Sequence, residues 1–194
     1  MAGPVAAWLD EVVRCPLRVP GAGEVRLADL APASMARELE FQLPAHHVDD
    51  RALVGAVARE FPLRAQAATS SWSGFLHGFV DLVFEHEGRW HVLDWKSNKL
   101  GEHASDYHRE ALERSVDEHA YALQFCLYTL ALHRLLRRRL PGYSYERDFG
   151  AVHYVYLRGA GAPAAEPAQP LGVYTARPSA ALVDTLDRLF EGSR

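Results

Sequence analysis

The sequence predicts an α/β fold with a mixed central β-sheet flanked by helices. Three observations carry that expectation. Helical and strand-like segments interleave along the 194 residues. Two apolar, β-branched and aromatic runs, residues 74–84 and 90–96, flank a short polar turn and read as a hairpin. Residues 108–140 carry a long helical pattern. A hairpin set into alternating strands and helices makes the sheet mixed.

Residues 6–13 read as a short helix, followed by a Pro- and Gly-rich turn over 16–23. Residues 37–43 alternate charged or polar with apolar side chains, the period of a half-buried strand, and Pro44 is expected to stop it. Residues 49–60 form a helix on this reading. In the segment 108–140, Leu112, Val116, Leu123, Leu127, Leu130 and Leu135 approximate the apolar stripe, and Pro141-Gly142 end it. Another strand is expected over 151–157, a low-complexity Gly/Ala/Pro loop over 159–170 and a short strand over 173–175. Ser179 is placed to cap a last helix through Phe190, with Gly192 beyond its end.

Length and composition favour one domain over 1–194, with 48% hydrophobic and 24% charged residues allowing a sizeable core. Two cysteines, Cys15 and Cys126, give neither a disulfide framework nor a metal-type spacing, which points to a reducing cytoplasm. The amino terminus lacks a basic-then-apolar signal pattern, and no apolar run approaches the ~20 residues that span a bilayer. A formal net charge of -4 argues against a wholly basic coat, so any nucleic acid must be held by a local patch or through metal ions.

Of 21 basic residues only two are lysines, and both lie in Asp94-Trp95-Lys96-Ser97-Asn98-Lys99. An ammonium is a compact point charge, whereas a guanidinium is a broad fork. If the hairpin tip is the two-residue turn Glu87-Gly88, His86 opposes Arg89, Phe84 opposes His91 and Asp81 opposes Asp94. Lys96 lies one step further along the face of Asp94. Val83, Val92 and Trp90 share that face, so two carboxylates meet on a largely apolar surface. Both cannot ionise cheaply there unless a proton or a cation intervenes. A hard divalent ion, Mg²⁺ above all, takes carboxylate oxygens and keeps waters for a substrate phosphate. Lys96 would then activate water or stabilise charge developing on phosphate, an assembly suited to phosphodiester hydrolysis. The bland alternative is a buried Asp–Lys ion pair with a second Asp capping a turn.

Glu38 and Glu40, alternating onto one face of an earlier strand, are candidates for a third acid; a solvated edge is the alternative. Gln124 and Tyr128, four apart on a helix, lie together and could position a strand of nucleic acid or merely border the buried stripe. His46 and His47 are expected in a loop, and His77 on the face of Asp81 near the site. Arg134, Arg137, Arg138 and Arg139 complement the helix dipole, or contact phosphates or a partner.

Gly78-Phe79-Val80-Asp81, Asp94-Trp95-Lys96 and the Gln124/Tyr128 pair resemble the motifs of the RecB-type branch of the PD-(D/E)XK nucleases. The flanks extend the likeness: GFVDLVFEHEGRWHVLDWKSNKLG from Gly78, LQFCLYTLALHR from Leu123 and FGAVHYVYLRG from Phe149. RELEFQLP before the hairpin and GVYTARPSA near the end carry it over nearly the whole chain. They resemble the C-terminal nuclease domain of the RecB (exodeoxyribonuclease V beta subunit) family.

The resemblance implies a restriction-endonuclease-like core and a nuclease degrading linear DNA, dependent on Mg²⁺ with Mn²⁺ or Ca²⁺ able to take its place. It implies that Asp81 and Asp94 bind metal, that Lys96 is catalytic, and that Glu38, with Glu40 as fallback, supplies the acid of the preceding strand. Gln124 and Tyr128 fall on the family's Gln-x-x-x-Tyr motif. Implied partners are DNA, the RecC and RecD subunits, the RecB helicase portion and the recombinase RecA, in double-strand break repair and recombination. One departure stands out: the family places a metal-binding histidine on a helix upstream of the acidic strand, and the first histidine here is His46. No Gly-x-x-x-x-Gly-Lys phosphate loop is present either. The expectation is a piece of a longer polypeptide without the histidine helix and the helicase domains. Docking without catalysis is the alternative role.

Overall fold

The computed structural model describes residues 3–21, 23–162 and 170–192. Its elements are α1 (Pro4–Val13), β1 (Leu17–Val19), β2 (Gly23–Val25), β3 (Met35–Asp49), α2 (Asp50–Ala58), β4 (Ser71–His86), β5 (Arg89–Lys96), α3 (Arg109–Glu118), α4 (Tyr121–Arg139), α5 (Tyr145–Asp148), β6 (Phe149–Tyr156), β7 (Val173–Ala176) and α6 (Ala180–Glu191). Five strands form one sheet in the order β3-β4-β5-β6-β7. Strands β4 and β5 pair antiparallel, as do β6 and β7. The Leu157 N–H donates to the Lys96 carbonyl (2.9 Å), and the Ala151 N–H donates to His91 Nδ1 (3.2 Å). Start meets start and end meets end, so β5 and β6 run parallel and the sheet is mixed, as predicted.

The chain divides into two compact units: Met1–Arg37 with Asp81–Ser115 and Gly150–Arg177, and Glu38–Val80 with Val116–Phe149 and Pro178–Arg194. In the first, Val12, Leu17, Val19, Val25, Leu82, Phe84, Leu93 and Val155 form a buried cluster. Full burial of such side chains is worth about 1.5–3 kcal/mol each. In the second, α2, α4 and α6 pack together. Phe125 of α4 meets the Phe61 ring edge-on at 4.8 Å, and Trp72 meets Phe190 at 6.0 Å. Asp49 caps α2 by accepting the Ala52 N–H (2.8 Å), and Ser179 caps α6 by accepting the Leu182 N–H (3.1 Å). Gly192 follows α6 at φ 76°.

Four local expectations are corrected. The predicted turn over 16–23 contains strand β1 and the start of β2, a short antiparallel pair. Leu17, Val19 and Val25 are buried by it, but strands of only three residues leave little period to read. Pro44 does not stop β3, which continues to Asp49 and includes His46 and His47, so these are not loop residues. An edge strand tolerates a residue without an N–H, and β3 ends the strand order. The long helix is two helices, broken at Ala120 in the left-handed region (φ 53°) without a Gly or Pro to announce it. Its phase therefore resets: Ala122, Phe125, Cys126, Thr129, Leu130 and Leu136 are buried, while Leu123, Leu127 and Leu135 are half-buried. The arginine cluster at the end of α4 is partly spent on packing. Arg134 and Arg137 both donate to the Asp187 carboxylate of α6, Arg137 at 2.8 Å. Burial opposes ionisation of Asp187, yet the two guanidiniums hold its carboxyl below the usual range. Part of the predicted Gly/Ala/Pro loop, 163–169, lies outside the described residues.

Two histidines in the first unit are wholly buried. His91 stacks on Phe84 (4.8 Å) and on His153 (5.4 Å), and His153 Nδ1 meets Thr175 Oγ1 at 3.0 Å. Gly150 makes room for this stack, since a Cβ there would lie 2.0 Å from the His91 ring. Burial, reinforced for His91 by the neighbouring His153, pushes the pKa values down to about 2 for His91 and about 3 for His153. The unfolded chain takes up these protons near pH 6.5 while the fold refuses them down to about 3. Stability is therefore full above pH 6.5 and is lost as the pH falls below it, by up to about 1.4 kcal/mol per pH unit per histidine. Urea denaturation at pH 7 and pH 5 should show this slope, reduced in His153→Gln; a flat wild-type profile would contradict it.

Candidate functional site

The site begins with a turn. Glu87 (φ 51°) and Gly88 (φ 77°) both adopt positive φ, the conformation of a type I′ two-residue hairpin. The Glu85 carboxylate secures it by accepting the Gly88 N–H (2.6 Å). The ladder then pairs His86 with Arg89, Phe84 with His91, Val83 with Val92 and Leu82 with Leu93, the register read from the sequence. Both faces are apolar and buried at Leu82, Val83, Phe84, Val92 and Leu93. Asp81 and Asp94 are the next residues beyond the last of those pairs. There the Asp81 carboxylate accepts the Trp95 N–H at 2.8 Å, which pins it to the stretch of β5 carrying Asp94 and Lys96.

Lys96 Nζ lies 2.8 Å from Asp94 Oδ2, with only 7% of either side chain exposed. The same ammonium stands 4.2 Å from the centroid of Tyr154, on β6. A cation held between a carboxylate and a ring face gains from both, and a compact ammonium suits so confined a place. Tyr154 was not singled out in the sequence; its only signal was its place in the strand beside the lysine strand. Each carboxylate is thus anchored separately, Asp81 on a backbone N–H of β5 and Asp94 on the Lys96 ammonium.

The remaining predicted residues lie in the second unit. Gln124 Nε2 donates to Tyr128 Oη at 2.9 Å across one turn of α4, and the Tyr128 ring meets Phe41 edge-on at 5.8 Å. Gly78 of the Gly-Phe-Val-Asp motif is needed for close packing, because a Cβ there would lie 2.8 Å from the Phe41 ring. Glu38 is exposed on β3 and adopts a left-handed backbone (φ 50°), an unusual conformation for a side chain other than Gly, Asn or Asp. Glu40 is exposed as well and meets His77 Nε2 at 2.8 Å, the only polar partner assigned to His77 among the described residues.

Two carboxylates and an ammonium suit a hard divalent ion and a phosphate, with oxygen donors on the protein side and open positions for water. Among the described residues no group of three or more His, Cys, Asp or Glu side chains is arranged to hold a metal. The two-carboxylate donor set still fits Mg²⁺, which is commonly bound through one or two carboxylates, waters and substrate phosphates.

The profile of the PD-(D/E)XK nuclease superfamily matches residues 5–192. The chain belongs to the PD-(D/E)XK nuclease superfamily. Within this superfamily it is similar to the RecBCD enzyme subunit RecB of Escherichia coli K12, 41% identical over 189 residues covering 95% of this chain and 15% of that protein. RecB of Haemophilus influenzae is 37% identical over 185 residues, 94% of this chain and 15% of that protein. RecB of Mycobacterium tuberculosis H37Rv is 31% identical over 199 residues, 90% and 18% respectively. The expected RecB-type resemblance is borne out, and the chain spans about 15% of the length of the first two relatives. The PD-(D/E)XK assignment accounts for the mixed sheet and for the Asp-x-Lys on β5.

Breaking the buried pair has a clear expected cost. Lys96→Met removes the cation 2.8 Å from Asp94 and should lower the unfolding free energy by about 3 kcal/mol, with part recovered in Asp94→Asn/Lys96→Met. Urea denaturation reads both, and a Lys96→Met protein as stable as wild type would show that the ion pair is not a buried one.

Proposed function

We propose that this chain is a metal-dependent deoxyribonuclease domain that hydrolyses phosphodiester bonds of linear DNA, an exodeoxyribonuclease of the exonuclease V type. The observation that carries the reading is the convergence on one hairpin of the anchored Asp81 and the Asp94–Lys96 pair. Asp81 and Asp94 hold the divalent ion, Mg²⁺ by preference with Mn²⁺ or Ca²⁺ as substitutes. When bound, that ion supplies Lewis-acid polarisation of the scissile phosphate and a more acidic water. Lys96, oriented by Asp94 and the Tyr154 ring, offers its ammonium to the oxygen on which negative charge grows. Glu38 serves as the third acid, and Gln124 and Tyr128, already hydrogen-bonded to each other, position the strand. The net charge of -4 is consistent with contacts confined to such a site.

The likeness to subunits named RecBCD enzyme subunit RecB supports a place in a RecBCD-type helicase–nuclease. Its partners there are DNA, RecC, RecD and the RecB helicase portion, with RecA as a docking recombinase, in break repair and recombination. A cytoplasmic location follows from that role, and among the described residues no helix is long and apolar enough to cross a membrane.

The test is degradation of linear duplex and single-stranded DNA with Mg²⁺, comparing the chain with Lys96→Ala. The expected loss in Lys96→Ala is about 10²–10³-fold, that of removing one group aimed at developing charge. Equal rates for the two proteins would remove Lys96 from the chemistry, and absence of degradation by the unaltered chain would favour docking.

A further inference from the structure

The pairing of β5 with β6 in the first unit brings one more cation to the end of the strand that carries Lys96. The Leu157 N–H donates to the Lys96 carbonyl (2.9 Å), so Arg158 leaves β6 beside the point where the chain leaves β5. There Arg158 Nε donates at 3.4 Å to the carbonyl of Ser97, the residue that follows Lys96. The backbone beneath the guanidinium is fixed. The N–H groups of Gly159 and Ala160 both donate to the Tyr156 carbonyl at 3.0 Å, and both residues are buried. A Cβ at Gly159 would lie 2.3 Å from Cβ of Tyr107, so this turn is seated closely on its neighbour. Arg158 itself is exposed. Its charge is also unspent. Arg14, Arg64, Arg109, Arg134 and Arg147 each face a carboxylate, and Lys99, three residues after Lys96, pairs with Glu102. Among the described residues no carboxylate pairs with Arg158. A carbonyl acceptor orients a guanidinium without neutralising it, and here it occupies Nε alone.

We propose that Arg158 binds a backbone phosphate of the DNA strand, next to the phosphate that is cut. The inference rests on the nuclease reading above and adds a substrate-binding residue to it. Charge selects the ligand. The Asp94–Lys96 pair, closed at 2.8 Å, carries no net charge, and Asp81 adds a negative one. Those three side chains do not by themselves attract a polyanion, so the grip on the strand must come from the bound ion and from a cation beside it. Arg158 is such a cation, tethered to the residue that follows Lys96. Both terminal nitrogens of its fork remain able to donate, the geometry that matches two phosphate oxygens at once. A contact to the backbone positions the strand without reading its bases.

The test is the salt dependence of DNA binding by the whole chain, read from the fluorescence anisotropy of a labelled oligothymidylate in EDTA, where no hydrolysis intervenes. On a single strand, each phosphate contact contributes about 0.7 to the slope of log Kobs against log salt concentration. Arg158→Gln should lose that much slope and bind about tenfold more weakly at low salt, with the same loss on oligodeoxyadenylate. Arg158→Lys should keep the slope, since a point charge in the same place still displaces a counterion. Arg14→Gln, which removes an arginine already paired with Asp10, should change neither quantity. The proposal is overturned if the unaltered chain does not bind the oligothymidylate, or if Arg158→Gln keeps the wild-type slope. A weaker Arg158→Gln with an unchanged slope would make the residue a structural one and counts among the overturning results. Because the readout is binding without turnover, its failure leaves the Lys96→Ala comparison untouched, and equal cleavage rates in that comparison leave the phosphate contact.

Discussion

The register of the β4–β5 hairpin is the constraint on which the site depends. A strand alternates its side chains between faces, so a slip of one residue would turn Asp81 or Asp94 away from the other. The two-residue turn at Glu87-Gly88 sets the count, with both residues at positive φ and the Glu85 carboxylate on the Gly88 N–H. Leu82, Val83, Phe84, Val92 and Leu93 are buried on both faces, so apolar burial does not distinguish one face from the other and the turn carries the register. Turn chemistry specifies the alignment, and the two carboxylates are carried along with it.

What the hairpin delivers is an electrostatic problem with a partial answer. Asp94 is buried against Lys96 at 2.8 Å, and Tyr154 lies under the ammonium. Asp81 is tied to a backbone N–H at 2.8 Å. A buried ion pair contributes little net stability compared with an apolar pair of the same volume, because desolvation offsets most of the attraction. The proposed nuclease function gives this pair a chemical role that stability alone does not. Lysine is scarce in this chain, two of 21 basic residues, and Lys96 is the one buried against Asp94.

Much of this was legible in the sequence because it rests on local rules. The hairpin register follows from a two-residue turn and a period of two, and the caps of α2 and α6 follow from Asp49 and Ser179. The misses have a common cause, which is tertiary context overriding local signals. Pro44 reads as a stop, yet on an edge strand its missing N–H costs nothing. Ala120 gives no sign of a left-handed break, and so two helices looked like one. Arg134 and Arg137 looked available for phosphate until Asp187, some fifty residues on, was seen to hold both. Tyr154 and the buried His91–His153 stack depend on strand pairing between segments far apart in sequence, which no local period encodes.

The central claim is that Asp81 and Asp94 share one hard cation with Lys96 beside it. Crystals grown with Mn²⁺ test it most directly, through the anomalous scattering of the ion. The account predicts a peak within about 2–2.5 Å of a carboxylate oxygen from each aspartate, lost in Asp81→Asn. A peak bound elsewhere, or none at these two residues under saturating Mn²⁺, would contradict it.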